Sequence, residues 1–146
     1  MMDTTRRYRK SLLRCLIFIS IAASSLFAFQ DQRSNSGEIL DQIEKGIVEG
    51  KVDNFSRHFG QQVSISMSGD RSVWYSTNQA FSILKNFFGM RETLSFAFTT
   101  RKETENSAYA TGGGRFLKRG TKESIQVYVV LKNTGGIWTI AQIHLL

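Results

Sequence analysis

Apolar residues recur along this chain with two different periods, and the periods separate helices from strands. A spacing of three or four positions, as in Ile39, Ile43 and Ile47, is typical of an amphipathic helix, and it occurs in three segments. Strict alternation, as around Val63 and Ile65, is typical of a half-buried strand, and six segments in all are predicted as strands. The predicted order of elements is α-α-β-β-α-β-β-β-β.

The third predicted helix has the clearest boundaries. Ser76 followed by Gln79 forms a capping box, and Gly89 supplies a C-cap. Gly50 is expected to end the first helix, and Asp53 to cap a short second helix. The predicted helices are 36–50, 53–59 and 76–89, and the predicted strands are 61–68, 71–75, 93–100, 107–118, 123–132 and 137–145.

These elements predict an α+β fold. A long antiparallel sheet has to bury one face, and the third helix, with Phe81, Leu84, Phe87 and Phe88, is expected to cover it. The glycine run 112–114 lies inside a strand, where glycines allow a bend or a bulge. We therefore expect a curved antiparallel sheet wrapped around three helices, in a cone that leaves room between sheet and helices.

The N-terminal residues have the pattern of a secretory signal. Five basic residues in positions 1–14 stand against one acid, Asp3, and the next fifteen residues are apolar or small and uncharged. A membrane-spanning helix needs about 20 such residues, so this run is short for an anchor and fits the apolar part of a signal peptide. We expect a signal peptide over 1–28, a polar tether over 29–37 and one domain over 38–146.

Export has consequences for the chemistry of the mature chain. Cleavage after Ala28 removes Cys15, the single cysteine, and this excludes thiol catalysis, disulfides and a zinc site built on cysteines. Cleavage after Ser25, or retention of the segment as an anchor, are the alternatives. Export places the domain in the periplasm or outside the cell.

Composition and charge exclude further classes. The chain is 41% hydrophobic and 12% aromatic, which indicates a globular protein rather than a disordered one. Of the formal charge of +7, the first 14 residues carry five minus one, so the remainder carries only +3. The basic residues near Arg115 and Arg119 are expected to form a solvated hairpin loop with at most a weak preference for anionic surfaces. We expect no nucleic-acid partner, no metal and no cofactor.

The last strand and the order of elements resemble a known superfamily. The strand reads Gly136-Ile137-Trp138-Thr139-Ile140, and over about residues 38–146 the chain resembles the nuclear transport factor 2-like superfamily, whose fold is also called SnoaL-like or cystatin-like. It further resembles a domain-of-unknown-function family of small secreted bacterial proteins. The resemblance implies the cone fold, in a superfamily that includes isomerases, dehydratases, ligand carriers and dimerisation domains, so it does not fix a function.

Enzymes of this superfamily place an Asp, His or Tyr inside the cone. Here Asp70 falls in a predicted turn, and the third to sixth predicted strands contain no Asp. No residue matches the carboxylate base that the isomerases use, and we assign no catalytic residue.

Five side chains are candidates for binding a ligand, because a phenol, an indole N–H or an imidazole orients a molecule in an apolar cavity. His144 has the parity of Trp138 and Ile140, which favours the pocket, but the opposite parity is more apolar, so an outward position stays open. A bulge near Gln142 would reverse the assignment. The candidates are Trp74, Tyr109, Tyr128, Trp138 and His144.

Three functions are compatible with these observations. The leading hypothesis is an exported, non-catalytic module that binds a small apolar molecule in the cone or an envelope protein on its sheet. The second is an isomerase-like or dehydratase-like enzyme that uses His144 or Tyr109 as acid or base. The third is a homodimerisation or scaffold domain, because relatives of this fold often pair through a mixed polar and apolar sheet face such as the one that carries Gln126, Tyr128 and Val130.

Overall fold

The structure is a computed structural model that describes residues 35–146. These residues form two α-helices, two 3-10 helices and one six-stranded sheet. The predicted signal peptide and most of the tether lie outside the described residues. In chain order the elements are α1 (Ser36–Glu49), the 3-10 helices Val52–Asn54 and Ser56–His58, β1 (Phe59–Met67), β2 (Val73–Ser76), α2 (Thr77–Gly89), β3 (Glu92–Glu103), β4 (Ser107–Lys118), β5 (Thr121–Thr134) and β6 (Ile137–Leu145).

Helix α1 begins and ends with capping interactions. The side chain of Asn35 accepts a hydrogen bond from the Glu38 N–H at 2.8 Å, and the helix stops at Gly50, which adopts the left-handed conformation at φ 67°. The apolar stripe predicted from the sequence is buried, with Ile39 and Ile43 almost completely inaccessible. Hydrophobic packing of this stripe therefore fixes the helix against the sheet.

The predicted second helix is wrong as an α-helix. The chain forms two 3-10 turns instead, because Phe55, at φ −131° and ψ −9°, interrupts the helical conformation between them. The predicted packing of Phe55 and Phe59 still occurs: their rings meet edge to face at a centroid distance of 6.0 Å, and both side chains are buried. The two rings remain in contact because the 3-10 turns also direct both phenylalanine side chains into the core.

Helix α2 has the predicted capping box, in which Ser76 and Gln79 bond each other's backbone N–H groups. Its C-terminal end differs from the prediction, because Gly89 is still helical and the cap is Met90 at φ −89°. The C-terminal end of α2 therefore does not have the left-handed backbone conformation that favours glycine. The residues of α2 that face the sheet are Ala80, Leu84, Phe87 and Phe88, all buried.

The sheet has the strand order β2-β1-β6-β5-β4-β3 and is open and curved. Four neighbouring pairs are antiparallel, but β1 and β6 are parallel, so the expectation of a purely antiparallel sheet is corrected to a mixed one. The parallel pair arises from the strand order. Strand β3 lies at the far edge, β4 and β5 follow inward from it, and β6 is then placed beside β1. Neither described helix combines the length and the apolar character needed to cross a membrane.

The first helix is tied to strand β3 by polar contacts as well as by packing. The Glu44 carboxylate accepts a hydrogen bond from the Phe98 N–H at 2.8 Å and another from Arg101 at 3.2 Å. Thr93 Oγ1 donates to the Ile47 carbonyl at 2.7 Å, and the Ser36 hydroxyl donates to Glu103. The Glu44 carboxylate thereby satisfies one backbone N–H of the edge strand β3.

We predict that Gly46→Ala destabilises the fold although alanine is the better helix former. A Cβ at Gly46 would lie 2.5 Å from the Phe55 ring and 2.8 Å from the Lys51 carbonyl oxygen, and neither group is free to move away. The expected loss in the free energy of unfolding, measured by urea denaturation, is about 1–3 kcal/mol.

Gly89→Ala is the matched control, because a Cβ there meets nothing within 4 Å and the residue is helical. It should leave the free energy of unfolding unchanged or raise it by about 0.5 kcal/mol. Equal effects of the two substitutions would contradict the close packing of Phe55 on α1.

We predict that His58 makes the fold less stable as the pH falls. Burial lowers the pKa of His58 below 6.5, and the charge of Arg57 lowers this pKa further, whereas Glu38 raises it. The unfolded chain therefore takes up the proton first, so stability falls as the pH drops below about 6.5. In denaturation measurements at about pH 7.5 and about pH 5.5, His58→Gln should lose less stability than the wild type; an identical loss would contradict this assignment.

Candidate functional site

A bulge in β6 decides where the candidate residues point. Val130 of β5 pairs with Gln142, and the adjacent Leu131 pairs with Ile140, so Ala141 is an extra residue in β6. Ile140 and Ile143 consequently both face the helices and are buried. His144 lies on the opposite face of the sheet, as the sequence analysis anticipated for a bulge near Gln142.

Three of the five candidates form a continuous aromatic row on this opposite face. The Tyr109 and Tyr128 rings lie 6.0 Å apart between centroids, and the Tyr128 and His144 rings meet edge to face at 5.6 Å. On β4 and β5 the alternate residues, such as Ala110 and Val129, are buried in the core. The row therefore crosses β4, β5 and β6 on the side away from the helices.

The fourth candidate, Trp74, lies on the same face near the edge of the sheet. Trp74 of β2 pairs with Ser64 of β1, which in turn pairs with Gln142 of β6. Its side chain is 56% exposed. We call this surface the outer patch; its residues are Ser64, Ser66, Trp74, Tyr109, Thr111, Tyr128, Val130, Gln142 and His144.

The fifth candidate, Trp138, is separated from the other four. Its strand parity is that of Ile140, and it packs partly buried against the hydrophobic core. The structure thus brings together Trp74, Tyr109, Tyr128 and His144 on one face and leaves Trp138 on the other.

The outer patch contains polar groups that sequence reasoning missed. Ser64 and Ser66 are only 3% and 5% exposed, although strict alternation in β1 predicted polar residues facing solvent. Ser66 pairs directly with His144 across the parallel β1–β6 ladder. The sequence held one sign of this burial. Serine is small, so it fits beside larger aromatic side chains such as Trp74 and His144 on a tightly packed sheet face.

The His144 ring carries a buried polar atom without a partner. Its Nε2 atom is inaccessible to solvent and has no hydrogen-bond partner among the described residues. A buried polar group left unpaired costs about 1–3 kcal/mol, so this position of the His144 ring lowers the stability of the fold.

The space between helices and sheet is occupied by apolar side chains. Phe55 and Phe116 are fully buried, and the Phe116 ring lies 6.4 Å from that of Phe88 on α2. These residues stand where the sequence analysis placed an apolar ligand. Among the pockets of the described residues, one lies near Ser36 and Glu103 and another lies beside α2, lined by Tyr75 and Ser82.

The described residues offer little reactive chemistry in the interior. The buried polar side chains among them are Ser36, Ser64 and Ser66. Residues 35–146 contain no group of three or more His, Cys, Asp or Glu side chains placed to hold a metal ion.

Known structures share this fold at low sequence identity. A DUF4783 family protein from Bacteroides ovatus is 18% identical with a TM-score of 0.62, over 71% of this chain and 90% of that one. A DUF4783 family protein from Bacteroides uniformis is 15% identical with a TM-score of 0.63, over 72% of this chain and 93% of that one. An NTF-2 like protein of unknown function from Shewanella oneidensis is 14% identical with a TM-score of 0.55, over 75% and 93% of the two chains.

These similarities establish the fold and leave the activity open, because identities at this level do not carry function. No curated protein matches the chain. The profile of one family, described as a domain of unknown function, DUF4783, matches residues 40–145. The chain, with its NTF2-like fold, therefore belongs to the DUF4783 family.

Proposed function

We propose that this protein is an exported, non-catalytic interaction module that binds protein through the outer patch, and that its first partner is a second copy of itself. The observation that carries the proposal is the aromatic row Tyr109–Tyr128–His144, which crosses three strands on the face away from the helices. Aromatic side chains of this kind are enriched at the centre of protein interfaces.

The side chains of the outer patch resemble the centre of a protein interface. They are aromatic, aliphatic, hydroxyl and amide groups, and the patch contains no Asp, Glu, Lys or Arg. Charged side chains lie at its margins: Lys102 pairs with Tyr109 from β3, and Lys132 follows Val130 on β5. Interface centres are enriched in Tyr and Trp and depleted in charges, with polar groups at the rim.

The same patch has the groups that self-association requires. In a two-fold interface each surface must complement itself. Thr111 and Gln142 of one copy, both half-buried, carry hydroxyl and amide groups that can bond polar atoms of the patch on another copy. The tyrosine rings supply the apolar area that stabilises the contact.

Binding is better supported than catalysis. An isomerase or dehydratase would need His144 or Tyr109 in an enclosed pocket, as in the second hypothesis, but both lie on the outer face of the sheet. The core cluster of the described residues consists of apolar side chains. A proton-transfer reaction requires a titratable group in contact with the substrate. On the outer face, His144 and Tyr109 contact another molecule only where it binds to the surface of the sheet.

Export is the second part of the proposal. Its support is the basic segment 1–14 followed by the uncharged run 15–29. An exported domain without a remaining cysteine would function in the periplasm or outside the cell, where its outer patch meets either another copy or an envelope protein.

We predict that Tyr128→Lys prevents self-association. The substitution places one charge in the middle of the patch on each copy, and two like charges facing each other in an interface cost several kcal/mol. Sedimentation equilibrium of the mature chain should show a dimer for the wild type and a dissociation constant at least about 100-fold weaker for the variant.

The matched control is Asn86→Lys, which adds the same charge at an exposed position of α2. It should dimerise as the wild type does, and circular dichroism should show that both variants are folded. A wild type that stays monomeric at high concentration, or a Tyr128→Lys variant that dimerises normally, would overturn the self-association proposal.

We predict that the chain is processed when it is expressed in a bacterium. Mass spectrometry of the purified protein should give a mature form that begins at Phe29, recovered from the periplasm or the medium. A form that begins at Leu26 would keep export and shift the cleavage site. An intact chain that starts at Met1 in the cytoplasm would contradict export.

A further inference from the structure

A second surface lies at the end of the sheet where β4 turns into β5. Lys118 pairs with Thr121, and the two residues between them, Arg119 and Gly120, have positive φ angles of 48° and 81°. This is the geometry of a tight two-residue hairpin turn, which holds both strands close together. The basic side chains of this hairpin are Arg115, Lys118, Arg119 and Lys122.

The positive charge of the hairpin is not balanced by its acidic neighbours. Glu123 is engaged by Arg91, whose Nε lies 2.6 Å from the Glu123 carboxylate and whose side chain is 9% exposed. Glu92, opposite Leu117, is the acid of β3 that lies at this end of the sheet. The four basic residues against Glu92 leave a local charge of four minus one, and no ion pair within the described residues involves any of the four.

Exposed apolar side chains lie at the same end of the sheet. Met90 is 47% exposed and precedes Arg91, which binds Glu123 next to Lys122. Leu94 is 44% exposed and follows Thr93, which pairs with Phe116 of β4.

Helix α1 brings a third apolar side chain to this end. Thr93 donates to the carbonyl of Ile47, the neighbour of Val48, and the Val48 side chain is 48% exposed. We call this surface the basic end; its residues are Val48, Met90, Leu94, Arg115, Lys118, Arg119 and Lys122.

We propose that the basic end binds the surface of an anionic lipid bilayer. Phosphate headgroups would contact the hairpin cations, each of which contributes about 1 kcal/mol near a charged membrane. The half-exposed Met and aliphatic side chains would enter the boundary between headgroups and acyl chains, as the apolar face of an interfacial helix does. The positive charge of the hairpin and the exposed apolar side chains beside it both favour an anionic bilayer, and the proposal rests on these two observations together.

A nucleic acid fits the basic end less well. Single strands bind through aromatic side chains on which bases stack. The exposed apolar residues here are Val48, Met90 and Leu94, and none of them is aromatic. The basic end is also separate from the outer patch, so membrane binding does not depend on self-association.

The experiment measures co-sedimentation of the mature chain, which begins at Phe29 in our proposal, with vesicles of phosphatidylglycerol and phosphatidylcholine. The test variant is Lys118→Gln/Arg119→Gln/Lys122→Gln. The control variant, Arg57→Gln/Arg71→Gln/Lys85→Gln, removes the same net charge at exposed positions elsewhere. Use of the mature form keeps the basic and apolar N-terminal segment from binding the vesicles itself.

The hairpin variant should bind these vesicles at least about tenfold more weakly than the wild type, and the control variant within about threefold of it. Added salt should weaken the wild type more than the hairpin variant. Equal losses in the two variants would mean that net charge alone is responsible, and this would overturn the proposal. Tighter binding of the wild type to single-stranded oligonucleotides than to the vesicles would also overturn it.

A second variant tests the apolar contribution. Met90→Ser/Leu94→Ser leaves every charge in place and should reduce binding to the anionic vesicles about fivefold or more. Unchanged binding would show that the apolar side chains do not enter the bilayer, and the inserted mode proposed here would be wrong.

Discussion

One extra residue in the last strand, Ala141, determines how the two faces of this sheet are used. Strict alternation would place His144 on the same face as Ile140. The bulge instead turns both Ile140 and Ile143 toward the helices, where they are buried, and leaves His144 beside Tyr128. The apolar core and the aromatic row therefore depend on the same local change of register.

The core explains why binding is expected at the surface. Phenylalanines from the 3-10 turns, α2 and β4 fill the space between helices and sheet, and Gly46 of α1 allows the Phe55 ring to approach closely. The Glu44 carboxylate satisfies one backbone N–H of the edge strand β3, that of Phe98. Apolar side chains therefore occupy much of the described interior, and the outer patch and the basic end carry groups suited to a partner.

Sequence periodicity was sufficient for most of the fold, and the bounds of β4 and β6 agree with the prediction, because long amphipathic segments have one buried face. Periodicity failed for features that depend on contacts between distant parts of the chain. The short 53–59 segment has too few residues to hold an α-helix, and the parallel β1–β6 pair depends on strand order, which a pattern does not contain. The sequence predicted the candidate residues but not the surface that four of them form. The one-residue bulge in β6 decides which face of the sheet carries His144, and the sequence pattern does not show the bulge.

Side-chain modification at increasing protein concentration would test the central claim most directly. If the outer patch is a contact surface between copies, photo-oxidation of Tyr109, Tyr128 and His144 should become slower as the concentration rises through the range of self-association. The rate at Trp138, which lies on the other face, should stay constant. Rates at the three patch residues that are independent of concentration would contradict the account.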